Sequence, residues 1–353
     1  MGSAIHKNSL AADLELVLEH AHEVWDELRN SNIFITGGTG LYGSWLLESL
    51  LWANARMNLK IKMVVLTRNP HAFIKRSPHL VDEAAVQLLC GDVKDFQFPS
   101  QSFTHVIHAA TEASAKLTQE NPQLMYDTIV QGMERVLQFA QQCRAGKLLF
   151  TSSGAVYGKQ PVHIDKISED YFEQHVQEDH KAAYGLGKIV AEKMCMQAAR
   201  HDFAVKIMRG FACVGPYLPL DIHFAIGNFI LNGLRGEDIH IKGDGTPYRS
   251  YIYMADLIIW LLQILVRGES CQAYNVGSEH EISVYDLAQT VARHFVPTPK
   301  IVVAQKSVLG RLPERYVPST KKARERLGLH QTFSLNDAII KTRNWYLFKG
   351  GFL

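Results

Sequence analysis

The chain has 353 residues, more than the roughly 100–200 of one average domain, so it forms either two domains or one large α/β unit. Hydrophobic residues at 47% and charged residues at 20% exclude a disordered chain, and a net charge of +2 gives no whole-chain case for a nucleic-acid partner. No window of about 18 apolar residues occurs, so no membrane span is expected; the longest candidate, Leu257 to Val266, is interrupted by Gln263 and ends at Arg267.

At the N-terminus, Glu15, Glu19, Glu23 and Asp26 occupy the place of a signal peptide's apolar core, and His6 breaks the myristoylation pattern after Met1-Gly2-Ser3. Leu14, Val17, Leu18, Ala21, Val24, Trp25 and Leu28 fall at helical spacing, which predicts one amphipathic helix over 10–29, packing on the domain or on a partner. Ile33-Phe34-Ile35 reads as a short buried strand running into a glycine-rich turn. A helix from Leu41 to Ala55 and a strand from Ile61 to Leu66 follow. Val86 to Leu89 and Val106 to Ala109 are further short apolar runs. Residues 123–143 form a long helix, Lys147 to Phe150 a strand, residues 182–199 a helix and Val205 to Met208 a strand. Strands alternating with helices at this spacing predict βαβ units and a parallel sheet. After about 215, Pro216, Pro219, Pro247, Pro297, Pro299, Pro313 and Pro318 break the chain into shorter elements, predicting a smaller lobe. The expected division is a helical extension over 1–30, a dinucleotide-binding domain over 31–210, and a lobe over 211–353 with parts returning to the sheet. Cys90, Cys143, Cys195, Cys213 and Cys271 are odd in number, scattered and without C-x-x-C, which suits a reducing cytoplasm and gives no zinc site.

The turn Thr36-Gly37-Gly38-Thr39-Gly40-Leu41-Tyr42-Gly43 carries glycines at 37, 40 and 43, directly between a strand and a helix. Glycine there permits a tight turn, lets a pyrophosphate approach bare backbone and packs helix on strand, with the helix N-terminus facing the phosphates. Gly37, Thr39, Gly40, Leu41, Tyr42 and Gly43 are therefore candidate dinucleotide contacts. The second strand ends in Leu66-Thr67-Arg68-Asn69 with no carboxylate to bond a ribose 2′-hydroxyl. Thr67 and Arg68 join the candidates, and Arg68 favours the 2′-phosphate of NADP over NAD unless it is a solvated surface charge. Asp92, with Val93 behind it, can accept from an adenine amine; its alternative is a helix cap. Ala109 and Ala110, after the next strand, complete the set.

Tyr184-Gly185-Leu186-Gly187-Lys188 places a phenol and an ammonium one helical turn apart on one face. A nearby cation favours phenolate, so the tyrosine pKa is expected to fall from about 10 towards working pH. Such a tyrosine can move a proton on or off a sugar hydroxyl while hydride passes to or from a nicotinamide. Upstream, Phe150-Thr151-Ser152-Ser153 ends a strand where a hydroxyl would face the same cleft.

These marks, continued by Val106-Ile107-His108-Ala109-Ala110, Ser153-Gly154-Ala155-Val156-Tyr157-Gly158, Gly243-Asp244-Gly245, Arg249 and Tyr274-Asn275-Val276-Gly277, resemble a known family over about residues 31 to 345. It is the extended short-chain dehydrogenase/reductases, the NAD-dependent epimerase/dehydratase group acting on nucleotide sugars. The resemblance implies a Rossmann-type doubly wound parallel α/β sheet with a smaller C-terminal substrate-binding lobe. It implies Tyr184 as acid/base, Lys188 as its partner on the nicotinamide ribose, and Ser153, or in second place Ser152, as the hydroxyl on the reacting sugar oxygen. Arg249, unless it is a surface ion pair, resembles the clamp on the nucleotide diphosphate, with Arg311 or Arg315 adding to it. The loop from Gly215 to Asn228, with Pro216, Tyr217, Asp221 and His223, would set the sugar. The family's pairing of the two long helices implies a homodimer, built on Leu124, Val130, Met133, Leu137, Val190, Met194 and Ala198.

Departures narrow the reaction. The family's 4,6-dehydratases carry Thr-Asp-Glu where Ser153-Gly154-Ala155 stand, and its decarboxylases keep a Glu at Ala155. Without those groups, elimination loses typically 10²–10⁴-fold in rate. Ala212 and Ser250 replace the usual Asn and Asp. The leading expectation is an NAD(P)-dependent epimerase acting through transient oxidation at sugar C4. The alternatives are an NADPH-dependent 4-keto-sugar reductase, a dehydratase using Glu112, Asp170 or Asp179, and a cofactor-binding regulator without catalysis.

Overall fold

Parallel strands buried on both faces read as continuous apolar runs, and the runs above become strands in the computed structural model. It describes residues 8–81, 84–111, 120–171, 183–200, 202–222, 224–308 and 310–350. The strands are β1 (Asn32–Thr36), β2 (Lys62–Thr67), β3 (Val86–Cys90), β4 (His105–His108), β5 (Lys147–Ser153) and β6 (Ala204–Gly210). With a seventh strand, Gln272–Val276, beside β6, they form one sheet in the order Gln272–Val276, β6, β5, β4, β1, β2, β3. Every pairing from β3 through β6 is parallel. The order reverses at β1, where the chain first crosses to β2 and β3 and later to β4. A doubly wound sheet binds its ligand beyond the carboxyl ends of the strands at that point. The Rossmann-type α/β expectation is met.

Two compact units are present among the described residues. One comprises Met1–Gly158, Phe172–Gly210 and Ile258–Tyr274; the other comprises Lys159–Tyr171, Phe211–Leu257 and Asn275–Leu353.

The predicted helix over 10–29 is two: α1 (Ala11–His20) and α2 (His22–Leu28). Ala21 leaves helical geometry at φ −106° and ψ 21°. The Leu18 carbonyl, which a continuous helix would bond to the His22 amide, instead accepts from the Trp25 indole at 2.8 Å. Both helices still bury one stripe, Leu14, Val17, Ala21, Val24, Trp25 and Leu28, against the first unit. Three of their glutamates meet that unit's cations. Glu15 pairs with Arg56 and Glu23 with Arg267, while Glu27 meets Lys147 at 2.6 Å. Lys147 and His105 begin β5 and β4, so α2 covers the amino ends of the strands, opposite the glycine turn. Of the two expectations for this segment, packing on its own domain is the one seen.

The helices α3 (Leu41–Met57), α4 (Pro70–Arg76), α5 (Pro122–Gln142) and α6 (Ala183–Ala198) flank the sheet. α5 and α6 pack together at small residues: a Cβ on Gly187 would lie 3.1 Å from Ile129. Met133, expected on the outward stripe of α5, is instead buried in the core with Cys195 Sγ 3.3 Å from its sulfur. Among the described residues no helix is long and apolar enough to cross a membrane.

In the second unit, Tyr248–Ser250 lies between Glu281–Ser283 and Arg315–Tyr316. Asn275, from the Tyr-Asn-Val-Gly motif, is a structural stitch. Its amide nitrogen donates to Ile167 O at 3.0 Å and to Ser319 O at 3.1 Å.

Candidate active site

At the carboxyl end of β1 the glycine turn is shaped by its neighbours. Gly37 takes the left-handed φ of +70°, and a Cβ there would collide with the Ala109 carbonyl. A Cβ on Gly43 would strike Gly38, so α3 can start flush against the turn only with glycine at that position. Between them Gly40 is exposed. Bare backbone thus faces solvent at a helix N-terminus, which is the donor chemistry a diphosphate requires. Leu41 and Tyr42, both half-buried, begin that helix. Thr36 ties the turn to β4: its hydroxyl accepts from the Ala110 amide at 3.2 Å and meets His108 Nδ1 at 2.7 Å.

Around the turn, Thr67 is buried and Arg68 exposed at the end of β2. A second arginine was not anticipated: Arg76, at the end of α4, donates from Nη2 to the Thr39 carbonyl. No sequence pattern marks it, because the contact depends on where α4 lies. Asp92 caps no helix: it opens a turn, where its Oδ1 accepts from the Lys94 amide at 3.0 Å. Val93 packs into α5, with a Cβ on Gly132 only 3.0 Å from its methyl.

The phenol–ammonium pair is assembled as the spacing predicts, and its surroundings set its chemistry. Ser153 Oγ accepts from the Ala155 amide at 3.1 Å and hydrogen-bonds Tyr184. Alternation along β5 sends Ser152 to the other face, where its buried Oγ finds no partner among the described residues. Gly185 lets α6 touch the turn after Ser153: a Cβ there would lie 2.6 Å from Ala155 O. Lys188 is 1% exposed, and its Nζ donates to Thr151 O and Thr111 Oγ1, both at 2.8 Å. The same ammonium stands 4.6 Å above the Phe150 ring. Burial pulls Lys188 down to about 7, and the Glu192 carboxylate works against that fall. His108, stacked on Phe150 and fully buried, is pushed down to about 3 by burial and then by Lys188. It is a neutral imidazole at any working pH.

One expectation needs correcting. Tyr184 is not lowered but raised above its ordinary value, because burial disfavours phenolate more than the Ser153 hydrogen bond favours it. The Lys188 ammonium lies 5.7 Å from the phenol ring centroid and is directed at Thr151 and Thr111 instead. Spacing along a helix places the two groups on one face, but it does not report desolvation.

The candidates of the second unit are placed singly. Asn228 is half-buried on the first turn of α7 (Ala225–Arg235). Arg249 is half-buried on Tyr248–Ser250 and donates from Nη1 to the Tyr248 carbonyl at 2.8 Å. Arg311 is exposed, 4.0 Å from Glu314. Arg315 is paired with Glu281 and stacked over Tyr248, so its charge is already compensated. Ser250 Oγ, where the family has Asp, is buried with no partner among the described residues. Asp170 is exposed, whereas Glu112, Asp179 and His223 lie outside the described residues.

A family model described as "NAD dependent epimerase/dehydratase family" matches residues 33–277. Among curated relatives, UDP-glucuronic acid decarboxylase 6 of Arabidopsis thaliana is 28% identical over 311 residues, covering 88% of this chain and 87% of that protein. UDP-glucuronic acid decarboxylase 1 of Danio rerio is 27% identical over 328 residues, covering 91% of this chain and 73% of that protein. Among solved structures, UDP-glucose 4-epimerase of Thermotoga maritima superposes with a TM-score of 0.75 at 20% identity, covering 90% of this chain and 99% of that one. A variant of UDP-glucuronic acid 4-epimerase of Bacillus cereus, solved with a fluorinated UDP-sugar and NAD, gives 0.77 at 21% identity over 90% and 99%.

Proposed function

Since this chain belongs to the NAD-dependent epimerase/dehydratase family, we propose that it is a nucleotide-sugar 4-epimerase working by transient oxidation at sugar C4. The observation that carries this reading is the junction of Ser153, Tyr184 and Lys188 beside an Ala155 that has no carboxyl group. The UDP-sugars named for the relatives and fold neighbours supply the substrate class.

The glycine turn, with Thr67, Arg68, Asp92, Val93, Ala109 and Ala110, is proposed to hold a nicotinamide dinucleotide, and Arg68 suits the 2′-phosphate of NADP. When bound, the nicotinamide accepts and returns a hydride at C4. Tyr184 takes the proton of the C4 hydroxyl oxygen and gives it back. Ser153, whose Oγ already accepts from Ala155 N, has its own proton available to donate to that oxygen. Burial makes a lone phenolate costly at Tyr184, so the Lys188 ammonium is the charge that makes proton removal feasible. With its pKa near 7, Lys188 is partly protonated at neutral pH. Asn228, Arg249 and Arg311 are proposed as contacts of the nucleotide sugar, in a cytoplasmic homodimer.

Decarboxylation is the second reading, favoured by the relatives' names and opposed by Ala155. The test is incubation of the purified protein with UDP-glucose and UDP-glucuronic acid under NAD or NADP, followed by proton NMR. We expect the C4 epimer with all carbons retained. Release of carbon dioxide with a UDP-pentose would replace this reading by decarboxylation, and no turnover of either sugar would end it for UDP-sugars.

A further inference from the structure

α6 carries a third polar group in line with Tyr184 and Lys188. Glu192 falls one turn beyond the lysine on the same face and is 5% exposed. Arg209 of β6, 6% exposed, grips it with Nε at 3.1 and 3.3 Å and with Nη2 at 2.7 Å. The remaining Nη1 donates to the Tyr157 hydroxyl at 2.8 Å. Tyr157 closes the short 3₁₀ turn Gly154–Tyr157 that begins at Ser153. One guanidinium therefore fastens both elements that carry the proposed catalytic groups, the turn after Ser153 and the Tyr184–Lys188 face of α6.

We propose that Arg209 and Glu192, with Tyr157, are positioning residues for the proton-transfer pair: Arg209 holds Ser153 and Tyr184 in register, and Glu192 gives Lys188 an anionic neighbour. This rests on the reading that Tyr184 and Lys188 move the proton. Stability alone does not account for the arrangement, because a buried ion pair is often no better than packed apolar side chains of the same volume. Geometry does account for it. Only arginine offers a planar fork that binds a carboxylate in bidentate fashion and still has a donor for a third group.

The charges around Lys188 make the second half of the argument. His108 on β4 is neutral, the Cys195 thiol on α6 is pushed up by burial and stays protonated, and the Tyr184 phenol is raised as well. Among the described residues packed here, Glu192 is the anion that holds Lys188 up against desolvation, and Arg209 is the cation that moderates it. Removing the Glu192 charge leaves Lys188 facing an uncompensated Arg209.

The test reads Lys188 directly and needs no sugar. Lysine labelled with carbon-13 at Cε is followed by NMR across pH, with the Lys188 signal assigned by its loss in Lys188→Met. In Glu192→Gln the titration midpoint is expected to fall by about half a pH unit or more. Adding Arg209→Met, which removes both charges, is expected to bring it back towards wild type. Tyr157→Phe, which keeps the ion pair, should leave the midpoint unchanged and lower kcat several-fold with KM little altered. Should Glu192→Gln not fold, Glu192→Asp with Tyr157→Phe decides the question. An unmoved Lys188 midpoint in a folded Glu192 variant overturns the electrostatic half, and wild-type kcat in Tyr157→Phe overturns the positioning half. A protein inactive on every UDP-sugar fails the functional reading while the titration still judges the brace.

Discussion

Burial decides what single residues can do here. Tyr184→Phe removes only the proton-transfer oxygen, so turnover should vanish while dinucleotide affinity stays within about twofold, as measured by calorimetry. Wild-type turnover in that variant would exclude Tyr184 as the acid/base. Arg68→Ala should weaken NADP far more than NAD, because only the former brings a 2′-phosphate for the guanidinium; equal losses would make Arg68 a bystander. His108 links pH to stability. Its folded value near 3 lies below the ordinary 6.5, so between these values the unfolded chain binds a proton that the folded chain refuses. Stability contributed by the neutral imidazole is therefore lost as pH falls from about 6.5 towards 3, with a slope of up to about 1.4 kcal/mol per pH unit. Urea unfolding at successive pH values should show this acid limb, and His108→Gln should flatten it. None of these environments is visible in the motifs. The spacing of Tyr184 and Lys188 predicts their shared face, while the rise of the phenol comes from desolvation that only the assembled fold imposes.

At the level of elements, legibility followed burial periodicity. β1, β2 and β4 are readable because both of their faces are covered and their central residues are apolar, with polar residues such as Asn32, Lys62 and His105 only at their ends. The apolar run of β5 stops at Phe150, and Thr151, Ser152 and Ser153 carry the strand on with hydroxyls, of which Ser153 faces the site. The break at Ala21 was invisible because the apolar stripe continues across it at helical spacing; a single indole hydrogen bond replaces a backbone one. In the second unit, strands of two or three residues leave no period to detect. The N-terminal helices give a prediction at this scale. Their ion pairs are largely exposed and worth about 0–1 kcal/mol each, so docking rests on the buried stripe. Trp25, 1% exposed and bonded to Leu18, is its largest member. Trp25→Ala should cost about 3–5 kcal/mol in urea unfolding, whereas Glu15→Ala should cost under about 1 kcal/mol. Equal effects would mean that the charges, not the stripe, seat these helices.

For the whole molecule, what remains uncovered on α5 and α6 bears on assembly. Met133 belongs to the core, and Leu137, Met194 and Ala198 pack partly against it, but Leu124 is 41% exposed, and Val130, Leu186 and Val190 are half-buried in the single chain. Leu186 and Val190, one turn apart on α6, form a stripe on the side away from Tyr184 and Lys188. At 1.5 Å per residue the two helices are about 24 and 31 Å long, and side by side they present a face roughly 20 Å wide. With side chains interdigitating, that approaches the roughly 800 Å² per partner of a specific interface. A two-fold axis would set the same stripe against itself and close the assembly at two copies. The pairing would also bear on chemistry, since α6 carries Tyr184 and Lys188 on its opposite side and a partner pressed behind it limits their motion. We therefore expect a mass about twice the 39.8 kDa of one chain by light scattering at micromolar concentration. Val190→Arg should split that species and lower turnover while leaving the unfolding midpoint of the single chain nearly unchanged. A wild-type mass near 39.8 kDa would leave the stripe without its partner and remove the brace behind α6.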